Sequence, residues 1–359
     1  MPMWPDRRLL NLFRIEHPIL QAPMAGAMDA VLAIAVAKAG GLGALPAAML
    51  NAEKLRAQVA QFRTATADKP VNLNFFAHRP PVPNNAREHA WREKLKPYYV
   101  EFGLDPSTPA PVTNRTPFNS EMCAVVEELK PDVVSFHFGL PDADLVKRQK
   151  TSGRKVILLR HNRCRSSVSR KGHRGMFLSD DIATQVGLFA LLPQVVDAMK
   201  VPVIATGAIG DARGIVAALA MGAAGVQIGT AFLFCPEAKV LPAHRAALRT
   251  ARDNSTVLTN VLRGRPARGV VNRAIRELGP ISNVAPAFPL AVAALAPLHA
   301  KAQEQGSGDF SPMLAGQAAA LGRELPAGAL IEIFFSEAQD LVRGTRAQKR
   351  VVVPKAPLL

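Results

Sequence analysis

Aromatic residues are scarce in this chain: Phe, Trp and Tyr together make up 6% of its 359 residues. A surface that stacks nucleic-acid bases needs exposed aromatic rings, so this composition argues against such a platform. Hydrophobic residues nevertheless reach 48%, and the prevalence of Ala, Val, Leu and Gly suits tight packing of helices on a sheet. The length fits one large barrel with an appended subdomain, or two domains.

The sequence also lacks metal-binding and disulfide patterns. Its three cysteines, Cys123, Cys164 and Cys235, stand far apart and form no CxxC or Cys/His zinc spacing. We therefore expect reduced, unpaired thiols and no metal site.

No segment has the pattern of a membrane span or a signal peptide. No stretch reaches the ~18 consecutive apolar residues that a span requires. Residues 1–14 contain Asp6 and several arginines, and the alanine-rich segment 285–298 is short and broken by prolines. The sequence predicts a cytoplasmic protein with no membrane partner.

Acidic residues are absent between Asp144 and Asp180, whereas eleven of the 44 lysines and arginines lie in that window. Such a run can bind nucleic acid or another polyanion, which is one hypothesis for this chain. The alternative is a solvated or disordered segment, and we favour it because no aromatic residue interrupts the charges of residues 147–174. Despite the basic segment, we expect no nucleic-acid partner.

Short β-branched or apolar runs alternate with longer helical patterns, which is typical of a parallel sheet built from βαβ units. The predicted strands are residues 19–21, 42–45, 71–75, 133–137, 155–159, 203–206 and 225–230. Only 15 residues separate Val156 from Gly172, and a crossover alone takes ~10–12 residues. One β/α unit near residues 158–172 is therefore missing or degenerate.

The predicted fold class is α/β, a TIM-type (β/α)8 barrel with that one degenerate unit and an appended helical lobe. The boundaries we predict are residues 1–237 for the barrel, interrupted by a proline-rich insertion at 79–118, and 238–310 for the lobe. Residues 311–346 would return to the barrel, and residues 347–359 would form a tail.

Glycine-containing loops follow the last two predicted strands. Residues 206–210, Thr-Gly-Ala-Ile-Gly, end one strand and open a helix, and residues 227–230, Gln-Ile-Gly-Thr, end the next. In parallel barrels the loops at these places form a phosphate cradle, because glycine lets backbone N–H groups approach the oxygens. One such loop is more often a plain turn, but two on successive strands point to phosphate.

Other candidate residues are placed at predicted strand ends or in tight turns. Residues 21–26, Gln-Ala-Pro-Met-Ala-Gly, could let a flat ring lie on the backbone, or could be an ordinary turn. Asn74 could bind a ligand at the barrel mouth or cap a loop. The imidazole of His173 titrates near neutrality and suits proton transfer, although a lone histidine is more often structural. His137, at the end of a predicted strand, is another candidate to line the mouth of the barrel.

Taken together, these segments resemble class I nitronate monooxygenases, the 2-nitropropane dioxygenase family. The likeness covers about nine tenths of the chain in colinear order. Its matching pieces are QAPMAGAM (21–28), AGGLGALPAAM (39–49), NLNFFAH (72–78), PYYVEFGLD (97–105), VVSFHFG (133–139), GHRGMF (172–177), ATGAI (205–209), VQIGTAF (226–232), TNVLRGRPARGVVNR (259–273), ELGPIS (277–282) and GDFSPMLAGQ (308–317).

The resemblance implies FMN as cofactor and oxidation of alkyl nitronates, such as propionate 3-nitronate, by O2 to a carbonyl compound and nitrite. It implies His173 as the catalytic residue. The implied flavin contacts are Met24, Ala25, Gly26, Asn74, Gly172, Gly207, Gln227, Ile228, Gly229 and Thr230. The implied substrate pocket consists of His137, Tyr98, Tyr99 and Gln317. A homodimer is an assembly that the sequence allows.

One stretch departs from the family pattern. Residues 159–171 replace a strand, an Ala-Gln-Gly turn and a Glu-Ala-Gly-Gly segment, and Lys171 stands where the family has the first glycine of a pair. An inactive or degenerate member of the family is therefore one alternative. The other is an FMN barrel of the enoyl-acyl-carrier-protein reductase type, which would consume NAD(P)H.

Overall fold

The protein is represented by a computed structural model, in which residues 4, 6–82, 84–111, 115–158 and 186–348 are described. Seven strands of the described chain run parallel to one another. They are β1 (Ile19–Gln21), β2 (Gly43–Pro46), β3 (Val71–Phe76), β4 (Val133–His137), β5 (Lys155–Leu158), β6 (Ile204–Thr206) and β7 (Gly225–Ile228).

These strands follow one another laterally in the order expected of a parallel barrel. One sheet has the order β1-β7-β6 and the other β2-β3-β4-β5, and a parallel bridge between Leu20 and Leu42 joins them. The lateral order is thus β6-β7-β1-β2-β3-β4-β5. The predicted α/β class with a parallel sheet is confirmed. The predicted degenerate unit falls between β5 and β6, where residues 159–185 lie outside the described residues.

Helices separate the parallel strands, and several of them begin at a residue whose side chain caps the first turn. They are α1 (Arg8–Phe13), α2 (Ala30–Lys38), α3 (Ala52–Thr66), α4 (Asn85–Glu101), α5 (Ser120–Leu129), α6 (Ala143–Thr151), α7 (Leu188–Ala198), α8 (Ala212–Ala220), α9 (Pro242–Arg249), α10 (Arg273–Leu278), α11 (Leu290–Glu304) and α12 (Ala327–Gln348). The Asp29 carboxylate accepts from Val31 N at 3.0 Å, and the Asn51 and Asn119 amide oxygens cap α3 and α5 in the same way. Such caps satisfy backbone donors that the first helical turn leaves open.

The outer face of the sheet is apolar and packs on these helices. Val71, Leu73 and Phe75 of β3 lie in one buried cluster with Phe62 of α3 and Val126 of α5. Because side chains alternate along a strand, the residues between them face the other side of the sheet.

Helix α12 packs beside both α2 and α8. Its Leu330, Ile331 and Phe334 share a buried cluster with Leu32 of α2 and Ile215 of α8. The long segment between β7 and α12 forms the lobe, so α12 comes back to the sheet after it. The domain boundaries given above stay a prediction.

The lobe is not purely helical. Besides α9, α10 and α11 it contains two antiparallel strands, β8 (Thr256–Thr259) and β9 (Ala267–Val270). The insertion at 79–118 contains the 17-residue helix α4, which carries Pro97 in its interior. Trp91 and Leu95 of α4 pack against Leu295 and Leu298 of α11, so the insertion supports the lobe.

Cys123 and Cys235 are buried free thiols, and Cys164 lies outside the described residues. In the part of the chain that the structure describes, no three His, Cys, Asp or Glu side chains are grouped as metal ligands would be. No described helix combines the length and apolarity needed to cross a membrane. Of the basic segment 147–174, residues 147–158 are described, and there Arg148 forms an ion pair with Glu127.

Candidate functional site

The inner face of the sheet changes from apolar to polar along the strands. At the amino ends, Leu20, Val133 and Ile157 pack with Leu9 and Leu10 of α1, which closes that end. At the carboxyl ends most of the inner side chains are buried and polar, with Phe76 as an apolar exception. The polar ones are Asn74, Ser135, His137, Thr206 and Gln227. In parallel barrels the carboxyl end carries the ligand site.

A cavity of about 540 Å³ opens at this polar end. Its volume lies within the roughly 300–1,000 Å³ typical of small-molecule sites. The lining contributed by strand ends and the loops that follow them consists of residues 22–27, Met49, Asn74, Phe76, His137, residues 206–210, Gln227, Gly229 and Thr230. The lobe and residues 311–318 provide most of the remaining lining.

The loop after β6 has an unusual backbone. Gly207 has φ +113°, and Ala208 has φ +55°, in the left-handed region that costs a non-glycine residue about 1–2 kcal/mol. The backbone N–H groups of both residues donate to no other described residue. Since strained backbone persists where the surroundings require it and clusters at functional sites, this loop is a candidate ligand contact.

The helix that follows this loop is already capped. Asp211 precedes α8, and its carboxylate accepts from Gly214 N at 3.2 Å. The Asp211 side chain also pairs with Arg213, whose guanidinium, together with the bonded N–H groups, holds the carboxyl pKa below its usual value against the effect of burial. The N-terminus of α8 is therefore occupied by a carboxylate of the chain, and any phosphate here would rely on the loop itself.

The loop after β7 offers a second group of backbone donors. A short 3₁₀ helix, Thr230–Phe234, begins there, and no side chain caps it. The N–H groups of Gly229 and Thr230 donate to no described residue. The Thr230 hydroxyl accepts from Gly316 N at 2.9 Å, which fixes the returning segment against this loop. A Cβ on Gly229 would lie 3.3 Å from the Ala22 Cβ, so the loop packs closely on the one after β1.

Hydrogen bonds of Gln21, the last residue of β1, fix the start of the loop that follows this strand. The Gln21 Oε1 accepts from Ala44 N at 3.0 Å, and the Gln227 Nε2 donates to Gln21 O at 3.3 Å. Met24, Ala25 and Gly26 then line the cavity with small or flexible side chains.

Asn74 is held in a defined orientation. Its Nδ2 donates to Ser135 O at 3.1 Å and to Ser135 Oγ at 2.8 Å. Its Oδ1 accepts from no described residue. Buried amide oxygens normally have a donor, so this acceptor is suited to an N–H of a ligand.

The charges on the cavity wall are of one sign. Arg115, Lys239, Arg263 and Arg268 line it, and no aspartate or glutamate does so among the described residues. Lys239 is paired with Asp29, and Arg268 donates to Thr256 O at 2.6 Å. The cavity is therefore suited to anionic ligands.

Several histidines close to the cavity are neutral at neutral pH. Burial and the nearby Arg265 lower the pKa of His78 to about 4, and burial lowers that of His244 to about 4 as well. Burial and Arg263 also lower the pKa of His299. His78 and His244 would therefore act as hydrogen-bond partners rather than as charges at neutral pH.

The structure brings most of the sequence-predicted residues together on one cavity wall. Those that line it are Met24, Ala25, Gly26, Asn74, His137, Gly207, Gln227, Gly229, Thr230 and Gln317. The side chain of Ile228 packs in the core behind the sheet. Gly172 and His173 lie outside the described residues. The roles of all of these residues remain predictions.

Tyr98 and Tyr99 lie on α4 of the insertion, where they face the lobe, and neither is among the residues that line the cavity. Tyr99 is buried, and its hydroxyl donates to Ala294 O at 2.6 Å. The centroid of the Tyr98 ring lies 5.2 Å from that of Phe310, and the Arg273 Cζ lies 5.3 Å from the centroid of the Tyr98 ring. This packing of α4 against the lobe accounts for both side chains.

We expect Tyr99→Phe to lower the free energy of unfolding by about 1–2 kcal/mol, because a buried carbonyl loses its donor. Ligand affinity in the cavity should stay within about twofold, since the hydroxyl does not reach the wall. Urea unfolding and ligand titration would check both. A large loss of ligand affinity with unchanged stability would instead mean that Tyr99 takes part in ligand binding.

Sequence reasoning missed the basic residues that the insertion and the lobe contribute, namely Arg115, Arg263 and His299. The available signal was weak, because Arg263 directly follows a run of only two apolar residues, Val261 and Leu262. A charged residue is seldom buried unless it has a partner or a ligand.

Comparisons with known proteins agree on one family. The family model described as nitronate monooxygenase matches residues 6–160 and 168–337, with its interruption inside the stretch that departs from the family pattern. A nitronate monooxygenase of Pseudomonas aeruginosa is 37% identical over 92% of this chain and 98% of that protein. A nitronate monooxygenase of Paraburkholderia phytofirmans is 38% identical over 95% of this chain and 97% of that protein.

Solved structures agree with these relatives. A nitroalkane oxidase from Streptomyces ansochromogenes superposes with a TM-score of 0.84, at 31% identity over 94% of this chain and 99% of that one. FabK from Thermotoga maritima superposes with a TM-score of 0.70, at 26% identity over 95% and 98%.

Proposed function

Because the chain belongs to the nitronate monooxygenase family of flavin-dependent oxidoreductases, we propose that it oxidises alkyl nitronates with O2, using FMN bound in the cavity at the carboxyl ends of the strands. The products would be a carbonyl compound and nitrite. Propionate 3-nitronate is the substrate that we would test first.

The residues present fit FMN in particular. A phosphate monoester requires several hydrogen-bond donors, and backbone N–H groups at Gly207, Ala208, Gly229 and Thr230 have no partner among the described residues. The absence of carboxylates from the described lining suits the same group. These unpartnered donors on two adjacent loops are the observation that carries the proposal.

Bound FMN would supply the redox chemistry, and the chain would supply orientation and electrostatics. We assign Met24, Ala25 and Gly26 to the support of the flavin ring, because their small or flexible side chains let a flat group approach the backbone. We assign Asn74 Oδ1 to a ring N–H. Gln227 and Thr230 would hold the surrounding loops in place through their bonds to Gln21 O and Gly316 N.

Nitronates are anions, and the positively charged side chains of the cavity wall would attract them. We propose that His173 binds the nitronate oxygens or takes the α-proton of a neutral nitroalkane, since imidazole can do both near neutrality. This role rests on the resemblance of the Gly-His-Arg-Gly segment at 172–175, which lies outside the described residues.

Anaerobic reduction of the bound flavin tests the function and separates it from that of an enoyl-reductase-type barrel. The purified chain should keep one FMN after desalting, and a nitronate should bleach the oxidised-flavin bands where NADPH does not. Readmission of O2 should restore the bands and release nitrite. Bleaching by NADPH alone would overturn the proposal, and a chain without flavin would support the inactive alternative.

The cellular location and the assembly of the protein are proposed from its sequence. We propose a cytoplasmic protein, which cell fractionation would check. A homodimer is the assembly to test by sedimentation of the FMN-loaded chain.

A further inference from the structure

Arg263 is a buried cation for which no described residue supplies a hydrogen-bond or ion-pair partner. The residue is 8% exposed and lines the cavity, and its buried Nε donates to no described residue. Burial, with a contribution from Arg115, lowers its pKa to about 10, so the group stays charged at neutral pH. An uncompensated buried charge is strongly unfavourable, which indicates that the cavity supplies an anion.

Two further side chains beside it, Arg115 and His299, each have a buried nitrogen without a described partner. The Arg115 Nε and the His299 Nε2 are buried and have no hydrogen-bond partner in the described chain. Arg115 is close enough to Arg263 to lower the pKa of Arg263, and Arg263 does the same to His299. Both neighbours also line the cavity.

This group is separate from the loops that we assign to the FMN phosphate. Arg115 comes from the insertion, and Arg263 and His299 come from the lobe, whereas the phosphate loops follow β6 and β7. The lobe also contributes apolar side chains to the lining of the cavity, among them Leu295 and Phe310. An oxyanion there would be largely desolvated, which strengthens its bonds to guanidinium groups.

We propose that Arg115, Arg263 and His299 form a second oxyanion subsite in the cavity, for a carboxylate or phosphate group. Two kinds of ligand carry an anionic group that fits this subsite. One is a nitronate substrate whose end remote from the reacting carbon is anionic, and this source rests on the proposed function. The other is a free inorganic anion held beside the active site.

Thermal melting of the FMN-loaded chain tests the subsite without turnover, with the phosphate loops already filled by the cofactor. Phosphate and malonate should raise the melting temperature above that in sodium chloride of equal ionic strength. Arg263→Leu should remove this difference, and Arg263→Gln serves as a second variant if the first fails to fold. The matched control is Arg252→Gln, an exposed arginine of the lobe, which should keep the difference.

Nitronate kinetics distinguish the two sources. If the substrate provides the anion, Arg263→Gln should raise the KM for propionate 3-nitronate by about 10- to 100-fold, the range expected for a lost charge-assisted bond. The KM for ethyl nitronate should stay within about threefold. A lost anion effect on melting with both KM values unchanged would assign the subsite to a free anion.

The outcome against the proposal is distinct from both. If phosphate and malonate act no differently from chloride on the wild type, and Arg263→Leu melts higher than the wild type, Arg263 is a plain buried charge and the subsite does not exist. A wild type that oxidises neither nitronate would overturn the proposed function instead, and the melting result would still decide the subsite.

Discussion

Gly264→Ala is expected to lower the free energy of unfolding by about 3 kcal/mol or more. Gly264 has φ +75°, where a side chain costs about 1–2 kcal/mol. Its added Cβ would also overlap Pro286 O and lie 2.7 Å from Phe288 N, both backbone atoms. Relief of such overpacking requires a backbone shift, which typically costs a further 1–3 kcal/mol.

The control is Gly306→Ala in the same lobe. Gly306 has nearly the same φ, +71°, but no atom lies within 4 Å of its added Cβ. This variant should lose about 1 kcal/mol, the conformational part alone. Urea unfolding at saturating FMN, followed by circular dichroism, would compare the two. Equal losses would mean that the contact with residues 286–288 does not contribute.

The effect should extend from stability to the cavity. Gly264 follows Arg263 directly, and the backbone it contacts leads into α11, which carries His299. A shift of this turn would therefore displace two members of the proposed anion subsite together. We expect Gly264→Ala to weaken the response of the melting temperature to phosphate, while Gly306→Ala leaves it intact.

The sequence was sufficient to predict the parts of the site that are local. Strand runs of buried β-branched residues and the glycines directly after them lie within a few residues of each other, so Gly207 and Gly229 could be placed at strand ends without tertiary information. Parallel strands then bring their carboxyl ends to one edge. This is why Asn74, His137 and Gln227 line one cavity.

The parts that depend on distant contacts could not be predicted. No helix was predicted in the proline-rich insertion, yet α4 continues through Pro97, and the apolar contacts of Trp91 and Leu95 with α11 stabilise it. Tyr98 and Tyr99 were assigned to the pocket from the resemblance alone, whereas Tyr99 donates across the α4–α11 contact to Ala294 O. The pattern within a segment does not reveal which partner its apolar face will meet.

The burial of the charged side chain of Arg263 could not be predicted from the sequence either. Its burial depends on α11 and on the insertion that carries Arg115, neither of which is near it in sequence. A net charge of +16 directed attention to the basic segment 147–174. Among the described residues, the charges that line the cavity belong to other parts of the chain.

Ala208→Asp is expected to raise the dissociation constant of FMN by about 100-fold or more. Ala208 is exposed on the cavity wall, so the larger side chain has room. Aspartate is also among the residues that tolerate the left-handed φ of +55° found there. A carboxylate about 6 Å from a phosphate charge would be repelled by roughly 3 kcal/mol at an effective dielectric constant of 20.

Ala208→Asn isolates the charge, because it has the same size and an equal tolerance for left-handed backbone. It should keep the FMN dissociation constant within about threefold of the wild-type value, whereas the aspartate variant loses flavin on desalting. Quenching of flavin fluorescence by the apoprotein would give both constants. Equal loss in the two variants would show that shape and not charge governs this loop, and unchanged binding in both would place the phosphate elsewhere. The difference between them therefore tests the location of the phosphate independently of turnover, since neither side chain takes part in the oxidation.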